Sequence, residues 1–169
     1  MQSMMNINCM SHIAITKAIF DQMKKRGSGK IVNVLSISGY LGTPMRCMYV
    51  ASKFGLNGFG KVMRSEGARH GIQVTQVYPY YVKTNISKNA LTGDGQTFGK
   101  VDANIAKGMP VEKAIDYILK GMQLDIAELT IGGTYYKVLY HVAHLLPQSV
   151  YDHFAAKTLK KQIDARNKA

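Results

Sequence analysis

The sequence predicts an α/β protein built on a parallel sheet. Three observations predict it. Helical periodicity alternates with short β-branched runs along the chain. Each run stops at a Ser-Gly or Pro signal. The segments between runs are long enough to hold a crossover helix. At 169 residues, with 46% of them hydrophobic, the chain has the size and composition of one domain with a core.

Residues 1–26 read as the first helix. Ile7, Met10, Ile13, Ala14, Ala18, Phe20 and Met23 recur at spacings of three and four, and Lys24-Lys25-Arg26 then Gly27 mark its C-terminus. Ile31-Val32-Asn33-Val34-Leu35 is a buried-strand pattern ending at Ser36-Ile37-Ser38-Gly39. A loop with Gly42 and Pro44 follows. Met48 to about Arg69 is helical again. Its Gly55, Gly58 and Gly60 would each cost about 1 kcal/mol in an exposed helix, which predicts close packing against another element at all of them.

His70-Gly71 stops that helix, Ile72 to Tyr78 is the next strand, and Pro79 ends it. Residues 83–109 are polar, Gly-rich and irregular. Pro110 opens a helix over residues 110–122, with Val111, Ala114, Ile115, Ile118 and Leu119 on one side, and a short strand is expected over residues 126–131. From Tyr135 the tail is amphipathic. Tyr136, Leu139, Tyr140 and Ala143 share a face, Pro147 interrupts it, and Val150, Phe154 and Leu159 continue beyond. Lys157, Lys160, Lys161, Arg166 and Lys168 make the end basic. The order α-β-α-β-α-β-α implies right-handed crossovers. So few strands leave both sheet edges unpaired, so the chain is expected to be part of a larger sheet.

The net charge is +12, from 22 Lys and Arg against 10 Asp and Glu. It favours anionic partners: nucleotide phosphates, acidic lipids, nucleic acid or an acidic protein. No helix-turn-helix, zinc-finger or RNP-like pattern accompanies it, so nucleic acid is not the expected partner. The two cysteines, Cys9 and Cys47, form no C-x-x-C pair, which suits free thiols in a reducing, intracellular compartment. His141 and His144 stand three apart without a carboxylate, so no metal site is expected. Residues 1–15 lack a basic n-region and are broken by Asn6, Asn8 and His12, so no signal peptide is expected. No apolar run reaches the roughly 20 residues of a spanning helix.

The chemistry-bearing constellation is Ser36, Tyr49 and Lys53. Tyr49-Val50-Ala51-Ser52-Lys53 puts a phenol and an ammonium on one helix face, one turn apart. Ser36 lies at the C-terminal end of a predicted parallel strand, the edge where open α/β sheets bind ligands. A free tyrosine titrates at about 10, and an adjacent ammonium favours the phenolate, so such a pair can exchange a proton with a carbonyl or alcohol oxygen. A serine hydroxyl can hold the same oxygen. Hydride must come from or go to a cofactor, since no side chain carries it.

These residues resemble the short-chain dehydrogenases/reductases. Ile31 through Gly39 is similar to that family's strand ending in its catalytic serine, and Tyr49 through Leu56 to its Y-x-A-S-K signature. Asn8 falls where the family carries a helix asparagine. Val74-Thr75-Gln76-Val77-Tyr78-Pro79 with Val82-Lys83-Thr84 resembles the strand and P-G-x-V-x-T stretch at the nicotinamide. The resemblance runs from residue 1 to about 122. It implies the C-terminal half of a Rossmann-like doubly wound parallel sheet over residues 1–134, with residues 135–169 as a basic, amphipathic extension. It also implies roles. Tyr49 is the acid/base. Lys53 favours its phenolate and holds the nicotinamide ribose. Ser36 orients the substrate oxygen and Asn8 completes a proton relay through a water. Pro79, Val82 and Thr84 touch the nicotinamide end, and residues 85–109 form the substrate loop and lid.

Thr84-Asn85-Ile86-Ser87 through Asp94-Gly95, with the basic tail, resembles the membrane-associated branch related to the 11-beta-hydroxysteroid dehydrogenases. That likeness implies association with an organelle membrane, mitochondrial or of the endoplasmic reticulum, with the tail lying on the membrane surface or on a partner. Tyr80 stands where the family has Gly, and Ser38 reads as a turn residue. No G-x-x-x-G-x-G precedes Asn8, so the N-terminal dinucleotide-binding strands are expected on another chain or outside this sequence, and NAD and NADP stay equal alternatives. Three functions follow. The first is an NAD(P)-dependent oxidoreductase interconverting small carbonyl and alcohol compounds, completed by a second polypeptide. The second is a non-catalytic structural subunit of a larger, membrane-bound assembly. The third, less favoured by Asn8, Ser36, Tyr49 and Lys53, is a basic binding module for nucleic acid or anionic lipid.

Overall fold

In a computed structural model, which describes residues 2–90, 96–97, 99–132, 138, 141–142 and 145–167, the strands Gly29–Val34 (β1), Ile72–Pro79 (β2) and Glu128–Ile131 (β3) form one parallel sheet in that order. The register runs from Gly29 opposite Ile72 to Val34 opposite Val77, and from Gln76 opposite Glu128 to Pro79 opposite Ile131. The helices are Gln2–Met5 (α1), Ser11–Arg26 (α2), Cys47–Ala68 (α3), Ala103–Ala106 (α4), Val111–Gln123 (α5) and Gln148–Asn167 (α6). A π turn at Asn6–Met10 joins α1 to α2, so the predicted first helix carries an extra residue in its ladder.

Two glycine turns set the base of the sheet. Gly27 caps α2 in the left-handed conformation at φ 70°, donating to the Lys24 carbonyl at 3.1 Å. Gly71, at φ 67°, precedes β2, and a Cβ there would run into the Gly27 carbonyl oxygen. The turns feeding β1 and β2 therefore rest on one another, and each needs glycine.

Helices pack on both faces of the sheet. Ile31 of β1 and Ile72 and Val74 of β2 pack with Phe20 of α2 and Met63 of α3, while Leu35, Leu56 and Tyr78 gather around Cys9. Side chains alternate along a strand, and Val77 points the other way, against Ala114 of α5 and Ile131. The sheet is thus doubly wound, as predicted. The uniform right-handed expectation does not hold. Strand order advances in one direction from β1 to β3, yet α3 and α5 lie on opposite faces, so the two crossovers have opposite hands. The right-handed rule rests on a strand feeding directly into its helix. Between β2 and α5 a long irregular segment intervenes and relaxes that constraint.

The glycines of α3 divide. A Cβ at Gly55 would meet the Cys9 Sγ at 3.2 Å, and one at Gly60 would collide with the Gln76 amide. Gly58 faces open space, with nothing within 4 Å, which corrects the prediction of close packing there. Gly58→Ala is therefore expected to stabilise the fold by about 1 kcal/mol, through helix propensity and a less flexible unfolded chain, read as a higher denaturant midpoint at unchanged slope.

The predicted face of Tyr136, Leu139, Tyr140 and Ala143 lies outside the described residues. Beyond Pro147, α6 runs over the loop after β1, where the Tyr151 hydroxyl donates to the Gly42 carbonyl. Burial pushes the Tyr151 phenol up, with Asp152 adding to it. No helix among the described residues is long and apolar enough to cross a membrane.

Candidate active site

Parallel pairing brings the C-terminal ends of β1 and β2 to one edge. The Leu35 N–H donates to the Val77 carbonyl at 2.8 Å, and the register, carried two residues past Val34 and Val77, sets Ser36 level with Pro79. Ser36 is extended and half-buried. Its Oγ accepts from the Ser38 N–H at 3.2 Å and so caps a single 3-10 turn, Ile37–Gly39. Ser38 is buried within that turn, its Oγ 3.0 Å from the Thr43 hydroxyl.

Across from the turn, Tyr49 stands in the first turn of α3 and is half-buried. Lys53 follows one turn later and is only 9% exposed. Its Nζ donates to the carbonyl of Val34, the last residue of β1, at 3.3 Å, and sits 6.0 Å from the Tyr49 ring centroid. Lys53 thus bonds the strand that leads to Ser36 and lies beside the Tyr49 ring. Burial pulls the Lys53 pKa below the ordinary 10.5, while the Cys9 thiol works the other way. The unfolded chain then binds more protons than the folded one between the lowered value and 10.5, so this residue's contribution to stability rises with pH across that window. We expect Lys53→Met to be more stable than the parent near neutral pH and to lose that advantage as the pH nears 10.5, measured by denaturant unfolding at several pH values.

Asn8 is held in the π turn. Its Nδ2 donates to the Ser52 Oγ at 3.3 Å, and Ser52 donates to the Tyr49 carbonyl at 2.7 Å. Asn8 thus reaches α3 beside Lys53. Its neighbour Cys9 is buried, and that burial raises the thiol's pKa.

Pro79, Val82 and Thr84 follow one another off the same edge. Pro79 pairs with Ile131, and Val82 forms a parallel bridge with Met109, which closes the base of the irregular segment. The Thr84 hydroxyl accepts weakly from the Ile86 N–H at 3.4 Å. Tyr80 donates its N–H to Ile131 at 2.8 Å, and its ring stands edge-on to Tyr81 at 4.4 Å. The bulky side chain is thus accommodated by its neighbour. Within the segment, the Ser87 hydroxyl accepts from the Asp102 N–H at 3.0 Å, and Asp102 caps α4. Residues 91–95 and 98 of the predicted lid lie outside the described residues.

Sequence reasoning missed a buried polar chain behind this edge. The Asn33 amide donates to Gln76 at 2.8 Å, Gln76 donates to the Asn57 carbonyl at 2.9 Å, and the Tyr78 hydroxyl donates to Asn57 Oδ1 at 2.8 Å. Asn57 in turn donates to the Gly39 carbonyl at 2.9 Å. The available signal was a polar residue at the centre of each apolar strand, Asn33 and Gln76.

Lys53 also bears on the cofactor expected from the resemblance. An ammonium has three donors, and Val34 takes one at a long 3.3 Å. The others suit hydroxyl acceptors, so the donor set fits the ribose of a nicotinamide nucleotide.

Comparisons with known proteins bear on the family and the fold. Residues 1–95 match the family described as short chain dehydrogenase. The chain is 37% identical over 165 residues to the dehydrogenase/reductase SDR family protein 7-like of Drosophila melanogaster, covering 98% of this chain and 50% of that protein. It is 34% identical over 158 residues to the dehydrogenase/reductase SDR family member 7B of Xenopus tropicalis, covering 94% and 51%. Among solved structures, a short chain dehydrogenase from Burkholderia cenocepacia J2315, in complex with NADP, is similar at a TM-score of 0.68 and 22% identity, covering 92% of this chain and 57% of that one. A short-chain dehydrogenase from Streptomyces avermitilis gives 0.66 and 22%, covering 98% and 62%. The structural likenesses bear on fold. The chain spans about half the length of the curated relatives it matches.

Proposed function

This chain belongs to the short chain dehydrogenase family, and from that premise we propose that it carries the proton-transfer half of an NAD(P)-dependent oxidoreductase that interconverts carbonyl and alcohol groups. The observation that carries the reading is the junction of Tyr49, the buried Lys53 and the strand that ends at Ser36. In the reducing direction the Tyr49 hydroxyl gives its proton to the carbonyl oxygen, and the Ser36 hydroxyl donates a hydrogen bond to the same oxygen. The Lys53 charge stabilises the phenolate left behind. Asn8, fixed through Ser52, would hold a water that links to Lys53 and reprotonates the phenolate. A bound nicotinamide dinucleotide supplies the hydride. Pro79, Val82 and Thr84 would border its nicotinamide end, and Lys53 its ribose.

The dinucleotide's remaining contacts belong to a further segment, on this polypeptide or a second one, that adds strands to the outer edge of β1. Three observations support this. Among the described residues β1 pairs with β2 alone. Val34, on the face away from α2 and α3, is 49% exposed. The relatives are about twice as long. The excess positive charge supports binding of a phosphate-bearing ligand.

The test uses the complete protein with that segment in place. It combines native mass spectrometry for a bound dinucleotide with the loss of reduced-nicotinamide absorbance on a panel of ketones and aldehydes. Bound dinucleotide and turnover are expected. Neither dinucleotide nor turnover would end the oxidoreductase reading.

A further inference from the structure

Resting on the oxidoreductase reading, we propose that Asn57 is a positioning residue. Its side-chain amide pins the Ser36–Gly39 turn to α3 and so fixes Ser36 relative to Tyr49. Asn57 lies one turn past Lys53 and is buried. Each atom of its amide has a defined task. Nδ2 donates to the Gly39 carbonyl at 2.9 Å. Oδ1 accepts from the Tyr78 hydroxyl at 2.8 Å and from Gln76 Nε2 at 3.3 Å. These partners leave the amide one orientation, with its donor aimed at the turn.

The turn needs such an anchor. Ser36 and Gly39 close it, with the Gly39 N–H donating to the Ser36 carbonyl at 2.8 Å. Gly39 lies directly on α3, where a Cβ would meet the Lys53 Cβ and the Lys53 carbonyl oxygen, both at 3.1 Å. The absence of a side chain lets the turn settle, and the Asn57 bond fixes where it settles. The Gln76 and Tyr78 contacts tie Asn57 to β2, so the turn at the end of β1 is indexed to the neighbouring strand. Sub-ångström placement of a hydrogen-bond donor at a reacting oxygen governs rate more than binding.

The experiment compares Asn57→Asp, Asn57→Ser and Tyr78→Phe in the complete protein. Asn57→Asp keeps the acceptor toward Tyr78 and Gln76 but sets an oxygen against the Gly39 carbonyl. Asn57→Ser, smaller and uncharged, serves if burying the carboxylate prevents folding. Tyr78→Phe removes a bond from the same network and leaves the Gly39 contact. The Asn57 variants are expected to lose about 10- to 100-fold in kcat with KM for the dinucleotide unchanged. They should also exchange the Gly39, Tyr40 and Leu41 amide hydrogens faster, whereas Tyr78→Phe, which leaves Gln76 on Oδ1 and Gly39 on Nδ2, should show a smaller fall in kcat and a smaller gain in exchange at those amides. Unchanged exchange in the Asn57 variants, or an equal fall in kcat for Tyr78→Phe, would overturn the proposal. If the parent protein shows no turnover, the oxidoreductase reading fails on its own, and amide exchange still decides whether Asn57 holds the turn.

Discussion

Tyr49→Phe is expected to lower turnover of the complete protein by about 10²- to 10⁴-fold while leaving the fold and dinucleotide affinity near those of the parent. The ring is half-buried at the start of α3, and Lys53 Nζ lies 6.0 Å from its centroid, so the ring itself carries the packing. Removing the hydroxyl removes the proton that the mechanism moves and little else. Ser36 would still donate to the carbonyl oxygen, which leaves a residual rate rather than none. The comparison should be made on single-turnover as well as steady-state rates, because slow product release would hide part of the loss. Equal turnover in the two proteins would show that this phenol is not the acid.

Gly60→Ala is expected to destabilise the fold by about 3 kcal/mol. A Cβ at this position would collide with both polar atoms of the Gln76 amide and come within 2.6 Å of the Asn33 amide nitrogen. Those atoms are side-chain ends and could in principle swing aside. They are also committed, since Asn33 and Gln76 are 3% and 1% exposed, Asn33 donates to Gln76, and Gln76 donates to Asn57. Moving Gln76 would strand at least one buried donor or acceptor, at about 1–3 kcal/mol. Equilibrium denaturation measures the loss. A cost under about 0.5 kcal/mol would mean that the network can re-pair around the methyl group. The contrast with Gly58, in the same helix and open to space, separates packing from propensity.

Much of the fold was legible because its signals are local. Gly27 and Gly71 stop helices, Pro79 stops a strand, and β-branched runs mark β1 and β2, so those elements appear where they were predicted. The placement of Lys53 one turn beyond Tyr49, beside the strand that ends at Ser36, was legible because helix periodicity and the end of a β-branched run are local signals. What stayed hidden is non-local. The π turn around Asn8 leaves no period in the sequence, and Gly55, Gly58 and Gly60 look alike until the partner of each is known. Asn57 reads as one more polar helix residue. Its role rests on Gly39, Gln76 and Tyr78, and only the folded chain brings them to it.

The change of hand between the two crossovers bears on how this protein could diversify. A connection that leaves the end of β2 and rejoins the sheet from its opposite face departs from the sheet edge that carries Ser36. Its base is latched by the bridge between Val82 and Met109, which pack against the apolar cluster of Val77, Ala114 and Ile131. On the proposed reading, residues beyond Thr84 and short of Met109 can be lengthened, shortened or exchanged with little disturbance to the sheet or the reacting groups. Selection for a new substrate and selection for a stable fold would then act on nearly separate stretches of one chain.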